Sequence, residues 1–292
     1  MLLLLLASLV WAFSFSLIKG QLAGVDPTAV AVLRLLCALL VFLPFFRRRQ
    51  LPGRVLLRLA VIGAVQFGLM YVLYLRAFAH LQAYEIALFT IFTPIYLALL
   101  DAALEHRWQL RHLLAALLAL GGAGVLLWHS AVSPGAIIGF LLVQGSNLCF
   151  AAGQLAYKRE RQKLPAVRDA AVFALLYAGA FAATVTASLF TTDWSAFRLT
   201  LPQAGVIVYL GIIASGLCFF WWNLGATRVN TGTLAVFNNA KIPLAVAVSL
   251  LVFGESANLP RLLLSGGLML TAVAVTERWF HRPTVRSVKP PE

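Results

Sequence analysis

The chain has 292 residues, of which 61% are apolar and 11% are charged, and it carries a formal net charge of +13. A soluble protein could not bury so many apolar side chains, so the composition excludes a soluble globular domain and predicts a membrane protein. The positive charge is concentrated in short connections between apolar blocks, which is typical of membrane topology and excludes a nucleic-acid-binding function.

Ten apolar blocks follow one another along the chain, and each is long enough for a transmembrane helix, which takes about 20 residues. The blocks are continuous and rich in Leu and Ala, whereas the strands of a membrane β-barrel alternate apolar and polar residues. The sequence therefore predicts an all-α membrane protein with ten transmembrane helices. No basic residue precedes Lys19, so we expect a retained first helix rather than a cleaved signal peptide. The predicted helices are Leu2–Ile18, Pro27–Phe46, Leu56–Phe78, Ala83–Leu104, Arg111–His129, Ala136–Tyr157, Ala170–Phe190, Ala204–Gly225, Thr231–Phe253 and Arg261–Phe280.

The 23 Lys and Arg residues are distributed unevenly between the two sides of these helices. Sixteen lie in the connections after even-numbered helices or in the C-terminal tail, three lie in the connections after odd-numbered helices, and four lie within helices. Because cytoplasmic connections are enriched in Lys and Arg, both termini are predicted to be cytoplasmic. Anionic lipid head groups attract the same residues.

The two halves of the chain contain similar motifs in the same order. Each half has an aromatic-containing motif, then a proline within the next helix, and then a glutamate near the end of that helix. These are Tyr74-Leu75-Arg76-Ala77, Pro94 and Glu105 in the first half, and Trp222-Asn223-Leu224-Gly225, Pro243 and Glu255 in the second. The two aromatic-containing motifs are 148 residues apart. The pattern predicts an internal repeat.

Each predicted repeat has five helices, and an odd number of helices inverts the second repeat relative to the first. Residues 1–130 are predicted to form the first repeat, 131–281 the second, and 282–292 a cytoplasmic tail. Inverted repeats are typical of secondary transporters, whose substrate site lies near the membrane midplane between the repeats. The alternative is an old duplication in a protein that does not transport anything.

These motifs together resemble the EamA family of the drug/metabolite transporter superfamily. The resemblance rests on the five-plus-five helices, Trp11-Ala12 followed by Lys19, Leu33-Arg34, and the prolines of the fourth and ninth helices. It implies a central cavity lined by helices one to four and six to nine, with helices five and ten at the periphery. It also implies a bacterial inner-membrane protein that exports small metabolites. Asn147 and Cys149 depart from the family pattern, which often has Trp near this position in the sixth helix.

Charged residues inside membrane spans are costly and mark candidate functional sites. Lys241 lies ten residues into the predicted ninth helix, and Asn238 and Asn239 come just before it. Pro243 removes one helical hydrogen bond, so backbone polar groups open beside the lysine. Such an interruption is tolerated in a membrane where it lines a cavity, and this predicts a carboxylate-binding station. The alternative is a lysine that stabilises the kink by bonding the freed carbonyl groups.

Four other charged residues lie within or near the predicted spans. Arg34 is deep in the second helix and has no evident partner in the sequence, so we weigh a cavity-facing role for it evenly against a structural one. Near the outer ends, Lys19 is expected to snorkel towards the membrane surface, and Arg76 is expected to pair with Glu85.

Aromatic and amide side chains complete the predicted site. Tyr71 and Tyr74 are one turn apart on one helix face, as the wall of a cavity requires. Asn147 and Gln154 fall on one stripe of the sixth helix, together with Tyr157. The predicted substrate-binding residues are Lys241, Arg34, Tyr71, Tyr74, Trp11, Asn147, Gln154, Asn238, Asn239 and Trp222, and Pro94 and Pro243 are predicted hinge or gating positions.

The sequence contains no enzyme motif and no ATP-hydrolysing domain, and its His residues lack metal-ligand spacing, so no cofactor or metal is expected. The groups that could couple transport to protons are few: Glu85, Asp101 and His80. Proton coupling and the choice between monomer and homodimer stay open. The resemblance implies an inner-membrane exporter that works by alternating access, and the excess of cations in the spans predicts a small carboxylate-bearing cargo, such as an amino acid or an opine-type metallophore. The alternatives are a transporter of lipophilic cations or drugs and, more distantly, a membrane enzyme or sensor.

Overall fold

The computed structural model describes residues 2–46, 52–106, 110–127, 134–164, 167–228 and 231–277. Within these ranges the regular structure is entirely helical, which confirms the predicted all-α membrane class. The α-helices are α1 (Leu2–Gln21), α2 (Pro27–Phe42), α3 (Gly53–Gly63), α4 (Met70–Ala77), α5 (Ala83–Phe89), α6 (Phe92–Leu104), α7 (Leu110–Leu127), α8 (Pro134–Gln162), α9 (Asp169–Thr191), α10 (Leu201–Tyr209), α11 (Cys218–Arg228), α12 (Thr231–Leu251) and α13 (Leu259–Glu277).

Seven segments of the described ranges are long and apolar enough to cross a membrane. They are Leu2–Gln21, Pro27–Phe45, Gly53–Ala77, Ala83–Leu104, Gly135–Gln162, Asp169–Thr191 and Leu201–Arg228. Three shorter apolar stretches, Leu114–Leu126, Lys241–Leu251 and Leu259–Val275, lie in α7, α12 and α13. The structure thus supports a multi-pass membrane protein, and the count of ten spans stays a prediction.

Two of the long spans contain a π-helical segment, in which each N–H bonds to the fifth carbonyl before it. Ala64–Leu69 joins α3 to α4, and Leu210–Leu217 joins α10 to α11. Such π segments are uncommon and often occur at functional sites. They fall in the predicted third and eighth helices, which are equivalent positions of the two proposed repeats.

The fourth predicted helix is divided in the structure. The sequence predicts one helix over Ala83–Leu104 with Pro94 in its middle, but α5 ends at Phe89 and α6 begins at Phe92. Pro94 therefore lies in the first turn of α6, where the missing proline N–H has no intrahelical partner to lose. Pro243 lies inside α12, which continues through it. The two prolines thus occupy different local structures.

Helices of the first half pack mainly against helices of the second half. α1 packs on α12 and α11, and α8 packs on α6 and α4. α2 packs on the Leu210–Leu217 segment and α9 on the Ala64–Leu69 segment, while α7 and α13 pack on each other. If each helix is replaced by its counterpart in the other half, the pairings of α1 and α8 interchange, and so do those of α2 and α9. The α7–α13 pairing is unchanged, as an inverted repeat requires. The repeat itself stays a prediction.

Glycines allow α3 and α9 to approach within backbone contact. A Cβ on Gly63 would lie 1.9 Å from the carbonyl oxygen of Leu176, and a Cβ on Gly179 would lie 1.8 Å from that of Ala60. Small residues are typical of such helix interfaces in membranes, because association there depends on close packing rather than on the hydrophobic effect.

Candidate substrate cavity

A central cavity lies among the helices and leaves about 590 Å³ unoccupied by protein atoms, including its opening. Two cations and no carboxylate are found among the described residues that line it. The lining residues are Trp11, Ser14, Phe15, Arg34, Met70, Tyr71, Tyr74, Thr90, Thr93, Ser146, Asn147, Phe150, Phe219 and Lys241.

The spacing of these residues follows from helix geometry. Trp11, Ser14 and Phe15 lie on one face of α1, at positions i, i+3 and i+4. Tyr71 and Tyr74 share a face of α4 in the same way, with ring centroids 6.1 Å apart. The lining residues belong to the predicted helices one to four, six, eight and nine, whereas α7 and α13 pack on each other. This agrees in most respects with what the family resemblance implies.

Arg34 is held by a triangle of hydrogen bonds at the cavity wall. Its Nη2 donates to the Tyr71 hydroxyl at 2.8 Å, and its Nε donates to the Ser215 hydroxyl at 3.2 Å. The hydroxyls of Tyr71 and Ser215 are 2.9 Å apart, and the Arg34 guanidinium carbon is 4.5 Å from the centroid of the Tyr71 ring. The guanidinium is therefore fixed in one orientation.

The π-helical segment Leu210–Leu217 provides part of this support. Ser215 donates to the carbonyl of Leu210 at 2.9 Å, and Tyr177 of α9 donates to the carbonyls of Ser215 and Gly216 at 2.7 and 2.9 Å. These carbonyls need outside donors, because the wider turn disturbs the regular helical ladder. The segment thereby presents the Ser215 hydroxyl to α2 and α4.

The Arg34 guanidinium has one donor left over. Its Nη1 is buried and has no hydrogen-bond partner among the described residues, and Arg34 takes part in none of the ion pairs found there. A buried donor without a partner is costly, so a ligand oxygen at this position would be stabilised. Arg34 thus combines a fixed charge with an available N–H group.

Lys241 faces the same cavity from α12 but has aromatic neighbours. Its Nζ lies 5.1 Å from the ring centroid of Trp11 and 5.9 Å from that of Trp222. The Trp11 ring is fixed in turn, because its Nε1 donates to the carbonyl of Ala214 at 2.8 Å. Cation–π attraction of this kind stabilises an ammonium group away from bulk water.

The break between α5 and α6 forms the third polar part of the wall. The N–H of Thr93 bonds to the carbonyl of Thr90 at 3.0 Å, so the carbonyl of Phe89 loses its usual helical donor. Asn147 replaces that donor, because its Nδ2 donates to Phe89 at 2.9 Å. The Thr93 hydroxyl also donates to Asn147 Oδ1 at 3.2 Å. At this break, Thr90, Thr93 and the amide of Asn147 therefore line the cavity.

The structure brings together six of the predicted substrate-binding residues, namely Trp11, Arg34, Tyr71, Tyr74, Asn147 and Lys241. Trp222 supports this set without lining the cavity, since it is buried with its ring centroid 5.1 Å from that of Trp11. Gln154 lines a different cavity from Asn147, and its predicted role in substrate binding stays a prediction. The two residues are seven positions apart, and two helical turns separate their side chains by about 10 Å along the axis. The side chains of Asn238 and Asn239 lie outside the described residues.

The charged residues near the predicted outer ends have structural partners. Lys19 donates to the carbonyls of Phe78 and Leu81 at 2.8 and 2.9 Å. Arg76 donates to Thr28 at 3.3 Å, whereas Glu85 accepts the N–H of Gln82 at 2.8 Å. The expected Arg76–Glu85 pair is therefore replaced by separate helix-end contacts, because capping satisfies backbone groups that would otherwise be unpaired.

Several residues of the site were not predicted from the sequence. Ser215 is a lone polar residue in an apolar run, and its signal was the neighbouring Gly216 and Gly211, which allow close packing. Phe150 and Phe219 are indistinguishable by composition from core aromatics. Ser14, Ser146, Thr90 and Thr93 also line the cavity, and small hydroxyl residues are too common in membrane helices to mark a site.

The cavity has the chemistry of a binding site for an anion with a ring or an apolar body. It offers a fixed guanidinium, an ammonium group, amide and hydroxyl groups, and a surrounding aromatic wall. The described residues include no cluster of His, Cys, Asp and Glu that could hold a metal ion.

Comparison with known proteins gives consistent results. Residues 1–128 match the model of the EamA-like transporter family. The probable biotin transporter of Pseudomonas aeruginosa is 39% identical over 288 residues, which cover 98% of this chain and 99% of that protein. The biotin transporter of Escherichia coli is 37% identical, and that of Salmonella typhimurium is 36% identical, each over 281 residues that cover 96% of this chain and 93% of the relative.

A solved crystal structure also resembles this one. It aligns over 96% of this chain and 98% of its own chain with a TM-score of 0.67. At 23% sequence identity, this likeness shows a shared fold.

Proposed function

The chain belongs to the EamA-like transporter family, whose members are transporters and not enzymes, and we propose that it carries biotin across the bacterial inner membrane by alternating access. That it is a membrane transporter of a small molecule follows from the family and from its relatives. The identity of the substrate, the membrane and the direction of transport belong to the proposal.

The pair of cations in the central cavity is the observation that carries the choice of substrate. Biotin has one carboxylate on a flexible aliphatic chain and a compact bicyclic ring with urea N–H groups. Arg34 and Lys241 fit the carboxylate, and the aromatic wall around Tyr71, Tyr74 and Phe219 fits the ring. Asn147 and the threonines of the α5–α6 break supply hydrogen-bond partners for the urea group.

The amino-acid and opine cargoes predicted from the sequence share the carboxylate with biotin. The relatives are named for biotin, however, and the aromatic wall suits a ring better than the side chain of a small amino acid. Biotin is therefore the first substrate to test. Export, the direction predicted from the family resemblance, is retained as part of the proposal.

The lipophilic-cation alternative is disfavoured by electrostatics. Two cations and no carboxylate line the cavity within the described residues. A unit charge about 4 Å from a like charge is repelled by about 4 kcal/mol at an effective dielectric constant near 20. A cationic drug would meet this repulsion, and the described lining residues offer it aromatic rings but no carboxylate.

Contacts at the predicted outer end hold neighbouring helices together. Lys19 joins the end of α1 to the turn after α4, as described above. Glu255, in the connection after α12, accepts the N–H groups of Ala83 and Tyr84 at 3.1 and 3.3 Å and also bonds to Ser249. A carboxylate at a helix N-terminus is favourable, so this contact holds the second half against α5. Cavities open at both ends: one lies between α6, α8 and α11 on the predicted cytoplasmic side, and another lies at the outer end beside Lys19 and Phe78.

Transport by the purified protein tests the substrate directly. Proteoliposomes containing the protein are expected to take up radiolabelled biotin, and unlabelled biotin should compete with it. The carboxamide analogue of biotin is a matched control, because it keeps the ring and the chain but lacks the charge, and it should compete at least 10-fold more weakly, as expected for loss of a charge-assisted contact.

Two results would contradict the proposal. If the carboxamide competes as well as biotin, Arg34 and Lys241 do not bind the substrate through its carboxylate. Efflux of a lipophilic cation such as tetraphenylphosphonium that persists in the Lys241→Ala and Arg34→Ala variants would favour the drug-transport alternative.

A further inference from the structure

A second cavity lies on the predicted cytoplasmic side of the central one. It is formed by α6, α8 and α11 and leaves about 920 Å³ unoccupied by protein atoms, including its opening. We call it the vestibule. Its polar lining includes Asp101 and Glu105 at the C-terminal end of α6, Gln154, Lys158 and Arg159 on α8, and Asn223 on α11.

A pair of aromatic rings separates the vestibule from the central cavity. Phe150 of α8 and Phe219 of α11 both line the central cavity, and their ring centroids are 5.7 Å apart. Four residues further along the same helices, Gln154 and Asn223 line the vestibule. Four residues are about one helical turn, or about 5.4 Å. The two cavities are therefore consecutive along one path, with a single aromatic layer between them.

Gln154 has an unused hydrogen-bond donor in the vestibule. Its side chain is 5% exposed, and its Nε2 has no hydrogen-bond partner within the part of the chain that the structure describes. Asn223, on the facing wall, is already engaged: its Oδ1 accepts from Gln66 Nε2 at 3.1 Å, and its Nδ2 donates to Phe219 at 2.9 Å. A buried amide nitrogen costs free energy until an acceptor reaches it, so Gln154 is suited to a ligand oxygen.

Lys158 places a positive charge beside this donor. It follows Gln154 by four residues on α8, so the two side chains are neighbours on one face of the helix. The adjacent cation, Arg159, is 3.5 Å from Asp101 and is partly neutralised by it. Lys158 also lines a neighbouring cavity on the same side of the molecule, which contains Arg161, Asp169 and Arg228.

We propose that Gln154 and Lys158 form a second carboxylate-binding station, which the substrate occupies on its way between the cytoplasm and the central cavity. The amide N–H and the ammonium group bind the two oxygens of the carboxylate. Asp101 and Glu105, across the vestibule on α6, accept from N–H groups at the other end of the substrate. The aromatic layer of Phe150 and Phe219 then parts to admit the substrate to Arg34 and Lys241. This inference rests on the proposed function, because it assigns the station to the same substrate.

Binding of radiolabelled biotin to the purified protein in nanodiscs tests the station. The wild-type protein should bind biotin in two phases, and Lys241→Ala should remove the tighter phase and leave the weaker one. In the Lys241→Ala background, Gln154→Leu and Lys158→Ala should each weaken the remaining phase by about 10-fold, as expected for loss of a hydrogen bond to a charged group. Lys158→Arg should retain the weaker phase.

Lys163→Ala is the matched control. Lys163 is a cation directly after the end of α8; it pairs with Glu160 at 3.1 Å and is not among the residues that line the vestibule. It should leave both phases unchanged. A single phase in the wild-type protein, or a weaker phase that Gln154→Leu leaves intact, would overturn the station while the proposed function stands. A wild-type protein that neither binds nor transports biotin would overturn the proposed function and the station with it.

Discussion

Arg34 and Lys241 face the same cavity from opposite halves of the chain, yet their surroundings differ in kind. Arg34 is bonded to the hydroxyls of Tyr71 and Ser215, whereas Lys241 lies near the rings of Trp11 and Trp222. A guanidinium donates through a planar fork of fixed geometry, whereas an ammonium group is a compact point charge whose donors rotate. The comparison suggests that Arg34 orients the substrate carboxylate and that Lys241 supplies charge.

This division also fits the local backbone. Arg34 lies opposite the π-helical segment Leu210–Leu217, which turns Ser215 towards it. The position of its guanidinium therefore depends on α2, α4 and this segment. Lys241 lies two residues before Pro243 in a helix that continues through the proline. The ammonium group of a lysine is a compact charge on a long flexible stem, so it can attract a carboxylate from several directions as α12 moves, whereas a planar guanidinium binds a carboxylate in one preferred orientation.

The largest effect is expected from Lys241→Ala. If Lys241 supplies the mobile charge, its loss removes an attraction worth up to about 4 kcal/mol before desolvation, and biotin transport should fall by about 100-fold or more. Transport in proteoliposomes measures the effect, and the amount and thermal stability of the purified protein control for folding. Wild-type transport by this variant would return Lys241 to a structural role in α12.

A smaller but more informative effect is expected from Arg34→Lys. This substitution keeps the charge but loses the planar fork that donates to Tyr71 and Ser215 while leaving Nη1 for a ligand. A hydrogen bond to a charged group is worth about 1.5–3 kcal/mol, so kcat/KM for biotin should fall by about 10- to 100-fold. Lys241→Arg is the counterpart, and the comparison predicts that it is tolerated better. If the two conservative exchanges have equal effects, the proposed division between orientation and charge is wrong.

The sequence predicted the membrane class and the charged residues of the central cavity, because both follow from the free-energy cost of placing a side chain in an unfavourable environment. Long apolar runs and charges within them are expensive to place anywhere except a membrane and a cavity, so Arg34 and Lys241 were identifiable without a structure. Helix spacing placed Tyr71 and Tyr74 on one face, and Trp11 was predicted as an aromatic side chain that could stack on a ligand.

Features that depend on contacts between distant segments were missed. The π segments and the α5–α6 break change the register of a helix without changing its hydrophobicity, so the sequence showed continuous helices there. Ser215 faces Arg34 only because the Leu210–Leu217 segment is π-helical. Glu255 bonds to the N-terminus of α5, some 170 residues earlier in the chain. Gln154 was predicted at the central site because helical periodicity shows which residues share a helix face. It does not show how far along that face a cavity extends.

The smallest of the predicted effects comes from Tyr71→Phe. The phenol links Arg34 to Ser215 through contacts of 2.8 and 2.9 Å, and its ring lies below the guanidinium. Removing only the hydroxyl keeps the ring contact and deletes both hydrogen bonds. Because neither is made to the substrate, we expect transport to lose about the worth of one neutral hydrogen bond, about 0.5–1.5 kcal/mol, so kcat/KM should fall by about 3- to 10-fold. Tyr74→Phe is the matched control, because Tyr74 lines the cavity one turn away and none of the hydrogen bonds around Arg34 involves its hydroxyl. If Tyr71 acts by orienting Arg34, combining Tyr71→Phe with Arg34→Lys should give little further loss, whereas independent roles would make the two losses multiply.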